Sequence, residues 1–289
     1  MRRIFLGTEA VADRAVTPGQ LRYGYRRVFP NVYGPRDEVP SLAERAVGAW
    51  LWTGRRGVIT GRAAAELHGA LWVRSDSPIE LNYNCRRPPA GIIARNDRIA
   101  CDEVLQIDDM AVATVERTAF DLGRFLPKGR AVAHLDALAR ETGVRADHVL
   151  ELAERYQGAR GVRKLRTAVD LMDAGSQSPK ETWWRLWLIK KGFPRPRTQI
   201  PVLNSLGRPF AYLDMGWEDV KIAVEYDGDQ HRTSREQYVW DEQRVRLIRD
   251  RGWLHIKVIA EDEPDDITAR VQAAWAIRES ALPVAERVS

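Results

Sequence analysis

The chain has 289 residues, which is long enough for two domains that each bury a hydrophobic core. Hydrophobic residues make up 44% of it. No apolar run reaches the roughly 20 residues of a membrane-spanning helix and no signal peptide is visible, so we expect a soluble protein without a membrane partner. The two cysteines, Cys85 and Cys101, are too few for a disulfide framework and lack the paired spacing of a zinc site, which favours a cytoplasmic protein.

The excess of positive charge lies in the first part of the chain. Residues 1–177 hold 27 Lys and Arg against 22 Asp and Glu, residues 178–289 hold 18 against 18, and residues 1–62 alone hold 11 against 5. A basic segment favours contact with DNA, because neutralised phosphates release their counterions. The alternative is compositional: Arg outnumbers Lys 38 to 7, a bias that a GC-rich genome produces without selection for nucleic acid.

The first 34 residues predict two short helices followed by a wing strand. An apolar pattern spans residues 4–11, and Thr17 and Pro18 suit the N-cap and first turn of a second helix that continues through Val28. Residues 29–34 form the predicted wing. A helix-turn-helix domain places polar residues of its second helix against groove edges and phosphates, which here would be Gln20, Arg22, Tyr23, Arg26 and Arg27. The alternative is a solvated helix face.

Three further regions complete the first part. The pattern is helical over 41–72, short alternating runs in 79–115 predict a small sheet, and helices resume from 115 to about 172. The small, polar stretch 173–179 predicts a domain boundary. The predicted domains are 1–72, a winged-helix-like DNA-binding domain; 73–175, an α/β regulatory or linker domain; and 176–289.

The last third predicts an α-β-β-β-α-β core followed by a helix, so the fold class is mixed α/β. The turns 204–207 and 216–219 separate the first three strands. The predicted elements are helix Pro179–Lys191, strands Thr198–Leu203, Arg208–Met215 and Lys221–Tyr226, helix Ser234–Arg251, strand Trp253–Ile259 and helix Asp265–Ser280.

Two carboxylates stand out on neighbouring predicted strands. Strict alternation puts Asp214 on the face opposite Leu213 and Met215, and Glu225 on the same face as Ala223. Acidic residues are depleted in strands and need a cation or hydrogen-bond donors when buried. Mg²⁺ meets that need, because it takes one or two protein carboxylates and keeps positions for water and phosphate. The alternative is a pair of solvated carboxylates at a sheet edge.

Further reactive groups follow Glu225 directly. Asp227 and Gly228 alone would be an ordinary turn, but His231 adds an imidazole that suits proton donation or phosphate contact. Taken singly, His231 is interpreted as structural.

The pattern Asp214, then Glu225-x-Asp227-Gly228-x-x-His231, then Asp241-x-x-Arg244 and Gly252-Trp253, resembles the Vsr-like branch of the PD-(D/E)XK nuclease superfamily over residues 176–262. The resemblance implies that acidic residues on the first helix, the second strand and the third strand gather around Mg²⁺, or Mn²⁺ in its place, to hydrolyse DNA. By position these residues are Glu181, Asp214 and Glu225.

Two positions qualify that resemblance. Glu181 also fits a capping box with Ser178. The superfamily carries a lysine two residues after the strand glutamate, and this chain has Asp227 there. The positive charge that would stabilise the transition state is therefore missing from that position. The candidates to supply it are Arg244, His231 and Lys257.

Two side-chain groups on the predicted helices have local interpretations. Asp241 and Arg244, three apart on a helix, predict a local ion pair. The cluster Trp183, Trp184 and Trp187 predicts core packing, with base stacking as the alternative.

The first half resembles the AbiEi-type antitoxins and transcriptional regulators of type IV toxin-antitoxin systems. The resemblance rests on the helix start 17–21, the wing 32–34 and the helix end 63–69, and it implies a winged-helix DNA-binding module followed by a regulatory α/β domain. The sequence therefore predicts a Mg²⁺-dependent DNA endonuclease targeted by an N-terminal module. The alternative is a DNA-binding regulator with a degenerate nuclease fold that does not cleave.

Overall fold

A computed structural model describes residues 3–228 and 235–281 of the chain, the side chains of 236–239 and 281 excepted. The chain divides into two compact units, Met1–Ala174 and Gly175–Ser289. The described residues form eleven α-helices and three sheets, which confirms the mixed α/β class. None of the helices in these ranges is long and apolar enough to cross a membrane.

The first unit begins with a three-stranded antiparallel sheet in the order β1-β3-β2. Its elements are β1 (Phe5–Leu6), α1 (Gly7–Ala12), α2 (Pro18–Gly24), β2 (Tyr25–Phe29) and β3 (Val32–Pro35). Thr17 caps α2 as predicted, because its hydroxyl accepts the Gln20 N–H while its own N–H donates to the Gln20 side chain at 2.8 Å.

The predicted continuation of the second helix to Val28 is wrong. Helix α2 ends at Gly24, and Arg26 and Arg27 lie on strand β2 instead. Glycine weakens a helix, and the following Tyr-Arg-Arg-Val-Phe run is rich in residues that favour strands. The turn at Asn31, which has φ +60°, then joins β2 to β3 in a hairpin, where the sequence predicted one wing strand.

The second sheet of this unit has the order β6-β5-β4-β8-β7. Its region contains α3 (Leu42–Trp52), β4 (Val58–Thr60), α4 (Gly61–Leu67), β5 (Ile79–Asn82), β6 (Ile92–Arg95), the 3₁₀ turn Cys101–Glu103, β7 (Val104–Ile107) and β8 (Met110–Ala113). Strand β4 pairs antiparallel with β5 and parallel with β8. The boundary predicted between residues 72 and 73 therefore falls inside one compact unit, where a strand before it pairs with strands after it.

Four helices close the first unit around a buried ionic cluster. They are α5 (Val115–Phe125), α6 (Lys128–Thr142), α7 (Ala146–Arg155) and α8 (Val162–Asp170). The Arg117 side chain is 1% exposed and donates to Glu103 at 2.6 Å and to Asp121 at 3.1 Å. A buried charge needs such partners, so this cluster has a structural explanation.

The second unit has the predicted α-β-β-β-α-β order, ending in one more helix. Its elements are α9 (Pro179–Lys190), β9 (Arg197–Leu203), β10 (Pro209–Trp217), β11 (Ile222–Tyr226), α10 (Arg235–Asp250), β12 (Leu254–Val258) and α11 (Pro264–Ala281). The sheet order is β12-β11-β10-β9, with β12 parallel to β11 and the other neighbours antiparallel. The parallel pair requires a crossover, which α10 supplies.

Helices cover both faces of this sheet. Ile222 and Val224 of β11 pack with α9 and α11, whereas Ala223 between them packs with Ile248 of α10 and with Trp253. Because neighbouring residues of a strand face opposite ways, α10 lies on the face opposite α9 and α11. A side chain of β11 on the Ala223 face therefore points to α10.

Candidate active site

The alternation of strand β10 is interrupted at Asp214. Leu213 packs in the cluster on the α10 face, but Met215 packs in the cluster on the other face, so the prediction that they share a face is wrong. The pairing with β9 passes from Leu213–Ile200 to Met215–Thr198, and Gln199 between them has φ +49°. Asp214 is interior to β10 rather than at its end.

Glu225 is buried on β11 and held by two other elements. Its carboxylate accepts hydrogen bonds from Arg244 of α10, with Nη2 to Oε1 at 2.6 Å and Nη1 to Oε2 at 3.2 Å, and it contacts His255 of β12 through Nε2. Burial opposes ionisation of Glu225, but the hydrogen bonds from His255 and Arg244 outweigh it and hold the pKa of this carboxyl below its usual value. Glu225 is therefore a stable anion at neutral pH.

Asp214 has the opposite electrostatic character. Its Oδ2 accepts the Tyr226 N–H at 2.9 Å. Burial, together with the negative charges of Glu181 and Glu225, raises its pKa to about 7, although the Tyr226 N–H and the charge of Arg244 act in the other direction. Three carboxyl groups thus lie close enough to repel one another, an arrangement that a bound cation relieves.

Glu181 takes part in the start of helix α9. Ser178 caps the helix by accepting the Glu181 N–H at 3.2 Å, while the Glu181 carboxylate accepts the Gln177 N–H at 2.7 Å, one residue upstream of the predicted capping box. Glu181 is 7% exposed, and its charge acts on Asp214. Glu181 therefore both helps to form the start of helix α9 and lies close enough to Asp214 for its charge to act there.

One cavity of about 160 Å³ collects the polar groups of the site. Its lining residues are Asp214, Glu225, Tyr226, Asp227, Asp241, Arg244, Val245, His255 and Lys257. Asp227 forms an ion pair with the Nζ of Lys257, in a position open to solvent. Asp227, at the position where the resemblance implies a lysine, is thus paired with a lysine from another strand.

His255 was not predicted to belong to the site, and Lys257 was predicted only as a candidate source of positive charge, with no position in the sheet. In the parallel register, Glu225 lies opposite Lys257 and Ala223 lies opposite His255, so that β11 and β12 present all of these side chains on one face. The available signal was the polar alternation in Leu254-His-Ile-Lys-Val258. It became informative only once β12 was known to pair with β11.

The remaining predicted site residues of the second unit have mixed outcomes. Arg244 bonds Glu225 of β11 and, at 2.9 Å, the Tyr212 carbonyl of β10, so it joins helix to sheet instead of forming the predicted local ion pair with Asp241, whose charge still acts on it. His231 lies outside the described residues. Trp184 is in the core at 4% exposure as predicted, but Trp183 is 43% exposed, and core packing is wrong for it.

The residues predicted to contact DNA lie on two elements of the first unit. On α2, the Gln20 side chain is used in the cap, and the Arg22 guanidinium lies 5.6 Å from the centre of the exposed Tyr23 ring. On β2, Arg26 donates to the Glu38 carbonyl at 3.1 Å, and Arg27 is exposed. A helix and a hairpin strand, rather than one helix face, carry these groups.

A larger cavity, of about 470 Å³, lies in the first unit between β1, α1 and α3. Its walls are mostly apolar, and it contains the ion pair of Arg55 with Glu9 at 2.6 Å. The 160 Å³ cavity is the better active-site candidate despite its size, because it combines neighbouring carboxylates, cationic groups and a carboxyl with a raised pKa.

The donor set suits a divalent cation of the Mg²⁺ type. Within 3–228 and 235–281, no three His, Cys, Asp or Glu side chains are grouped so as to hold a metal ion by themselves. Mg²⁺ requires only one or two protein carboxylates and fills its other positions with water and phosphate oxygens. Asp214 and Glu225 meet that requirement, because both are carboxylates and both line the same cavity.

Comparison with known proteins finds relatives without an assigned activity. The uncharacterized proteins MT2308 and Rv2248 of Mycobacterium tuberculosis, from strains CDC 1551 / Oshkosh and ATCC 25618 / H37Rv, are each 25% identical to this chain over 252 residues. The match covers 86% of this chain and 91% of each relative, and therefore includes parts of both units. No family model matches the chain.

Proposed function

We propose that the protein is a Mg²⁺-dependent DNA endonuclease, in which the second unit hydrolyses phosphodiester bonds and the first unit binds DNA. The observation that carries the proposal is that Asp214 and Glu225, from adjacent strands, line one cavity together with Arg244, His255 and Lys257. Neighbouring carboxylates beside cationic side chains are groups that metal-assisted phosphodiester hydrolysis uses. Asp214, Glu225 and Arg244 are also among the residues on which the resemblance to the Vsr-like nucleases rests.

Each side chain has a distinct role in this proposal. Asp214 and Glu225 would hold Mg²⁺, with Mn²⁺ able to replace it and Glu181 adding negative charge nearby. The ion would supply a polarised water and charge neutralisation at the phosphate. Arg244 and His255 fix the orientation of Glu225, and Lys257, held by Asp227, contributes positive charge to the cavity.

The direct experiment is incubation of supercoiled plasmid and linear duplex DNA with the full chain. We expect cleavage with Mg²⁺ or Mn²⁺ and none with EDTA, because Asp214 and Glu225 would hold the ion that polarises the attacking water and neutralises charge at the phosphate. Gel electrophoresis over time measures the rate. DNA that remains intact with either metal, across protein concentrations that saturate binding, would contradict the proposal.

Lys257 is expected to support cleavage in place of the lysine missing after Glu225. Lys257→Met removes a positive charge from the cavity and should lower the cleavage rate about 100-fold. The unfolding free energy should change by less than about 1 kcal/mol, because the pair with Asp227 is solvent-exposed. The matched control is Lys221→Met, since Lys221 donates to the Arg251 carbonyl outside the cavity. Equal rates for both variants would remove Lys257 from the mechanism.

Arg27 is expected to contact a DNA phosphate. Arg27→Ala should weaken duplex binding at every sequence tested and reduce the slope of log affinity against log salt by about 1. The control is Arg140→Ala, an exposed arginine on α6 of the same unit. Fluorescence anisotropy at several salt concentrations measures both quantities, and an unchanged slope would show that β2 does not bind the backbone.

A second candidate function is a DNA-binding regulator of the antitoxin type that does not cleave. The observation that favours it is that both Glu225 oxygens are already bonded by Arg244 and His255. Selective operator binding through residues 1–62, together with no hydrolysis under any metal, would support this function over the nuclease.

A further inference from the structure

One face of helix α9, extended by its C-cap Lys191, carries lysines and tryptophans. Lys180, Trp183, Trp187 and Lys190 follow one another at three or four residues, and Lys191 is four residues after Trp187, so they lie toward one side; we refer to these five residues as the α9 face. The face is about 16 Å long, from a rise of about 1.5 Å per residue. It gathers three of the 18 Lys and Arg residues of a unit whose formal charges balance, 18 against 18.

The two tryptophans of the α9 face form a stacked pair. Their ring centres lie 5.4 Å apart, with an angle of 10° between the planes. The indole nitrogen of Trp187 donates to Thr268 of α11 at 3.0 Å, which fixes that ring, whereas Trp183 is 43% exposed. A fixed aromatic ring beneath an exposed parallel ring is a platform on which a further flat group can stack.

Positive charge borders the platform at its C-terminal end. The Nζ atoms of Lys190 and Lys191 lie 5.3 Å and 4.7 Å from the Trp187 ring centre, and Lys191 also pairs with Asp265. Ammonium groups beside exposed aromatic rings match a chain that alternates phosphates with bases. A purely apolar partner would offer no charge to complement Lys190.

The other end of the α9 face reaches the candidate active site. The Lys180 Nζ lies 6.0 Å from the centre of the Tyr226 ring, and Tyr226 lines the cavity that contains Asp214 and Glu225. Lys180 and Trp183 are separated by less than one helical turn. The stacking platform is therefore close to the carboxylates along one continuous surface of the second unit.

We propose that the α9 face binds a single-stranded segment of the nucleic acid beside the bond to be cleaved. A base can stack on Trp183 only when one of its faces is uncovered, which is not so for interior base pairs, so the surface selects frayed, branched or overhanging DNA over uniform duplex. This inference rests on the proposed nuclease function for its position relative to cleavage. The binding it describes does not depend on hydrolysis.

The test measures binding by the full chain in EDTA, where cleavage is absent. Trp183→Ala should raise the Kd for a labelled oligo-dT of about twelve nucleotides by about 5- to 100-fold, the range expected for loss of one base–aromatic stack. Binding of a duplex of the same length should change less than about 2-fold. Trp183→Phe keeps an aromatic face and should restore most of the affinity, and Leu206→Ala, at a 78% exposed position between β9 and β10, is the control.

Several outcomes would overturn the proposal. An unchanged Kd for oligo-dT in Trp183→Ala, an equal loss for duplex, or failure of Trp183→Phe to restore binding would each show that stacking is not involved. Displacement of oligo-dT by polyaspartate as readily as by unlabelled oligo-dT would indicate a surface for acidic protein.

A cleavage arm then distinguishes this inference from the proposed function. In Mg²⁺, wild-type protein should cleave a duplex with a single-stranded arm faster than a blunt duplex, and Trp183→Ala should lose that preference. Trp183-dependent binding without any cleavage would refute the nuclease function while supporting the single-strand site. Cleavage that shows no preference for the arm would refute the site's role in substrate choice.

Discussion

Replacing Asp214 with asparagine is expected to abolish cleavage and, at the same time, to stabilise the metal-free protein above neutral pH. Asparagine keeps an oxygen that can accept the Tyr226 N–H but removes the negative charge that repels Glu181 and Glu225. Loss of a metal-binding carboxylate should lower the cleavage rate about 1000-fold. Activity falls while stability rises, because the neighbouring carboxylates that suit a cation repel one another when no cation is bound.

The pH dependence follows from the pKa of Asp214, which is about 7 in the folded protein against an ordinary value of 3.8. Between these pH values the folded state binds more protons than the unfolded state, so the unfolding free energy falls as pH rises and the loss is complete above about pH 7. The Asp214→Asn variant lacks this loss. The difference in unfolding free energy between Asp214→Asn and wild type should therefore increase, in favour of the variant, by on the order of 3 kcal/mol from pH 4 to pH 8.

Denaturant unfolding in EDTA at both pH values measures this difference. The control is Asp219→Asn in the exposed turn after β10, which should show no widening. Mg²⁺ should stabilise wild type at pH 8 and have little effect on Asp214→Asn. If Asp214→Asn is no more stable than wild type at pH 8, the carboxylates do not repel one another as the structure indicates.

Replacing Arg244 with alanine is expected to be among the most destabilising single changes on α10. Arg244 bonds Glu225 through two nitrogens, and its removal leaves a buried carboxylate with His255 as its remaining bonded partner in the described part of the chain. Removal of one partner of a buried ion pair costs about 3 to 5 kcal/mol. The pKa of Glu225 should rise as well, since Arg244 is one of the groups that hold it down.

The matched control is Arg246→Ala, two residues along the same helix and exposed. Its unfolding free energy should change by less than about 0.5 kcal/mol. If Arg244→Ala and Arg246→Ala have the same unfolding free energy at pH 7, the contact between Arg244 and Glu225 contributes nothing to stability. Cleavage should also be lost in Arg244→Ala, because Glu225 no longer has a fixed orientation.

The order of elements in the second unit could be predicted because each has a strong local signal. Helices α9 and α11 are long and begin at Ser178-Pro179 and at an acidic first turn, and the first three strands are separated by turn residues. In the first unit the local signal was weaker at Gly24, where a helix changes directly into a strand. There the pattern predicts a helix through Val28, whereas Arg26 and Arg27 lie on strand β2.

The site was predicted in part for the same physical reason. Asp214 and Glu225 were visible because acidic residues inside apolar strands are unusual. Their partners were harder to place, since the pairing of β12 with β11 joins residues about 30 positions apart, which no local pattern reports. The change of face at Asp214 was also hidden, because strict alternation predicts one face for Leu213 and Met215, and the irregular residue beside them, Gln199 with φ +49°, lies on a neighbouring strand.

The crossover through α10 also sets the order in which the site is assembled during synthesis. Asp214 and Glu225 leave the ribosome before Arg244, His255 and Lys257, which the chain adds only with α10 and β12. A chain that stops before β12 has the two carboxylates but neither the lysine of the cavity nor the edge strand on which it lies. Under the proposed function, a nascent or truncated chain therefore does not cleave DNA, and cleavage begins only when the last strand joins the sheet.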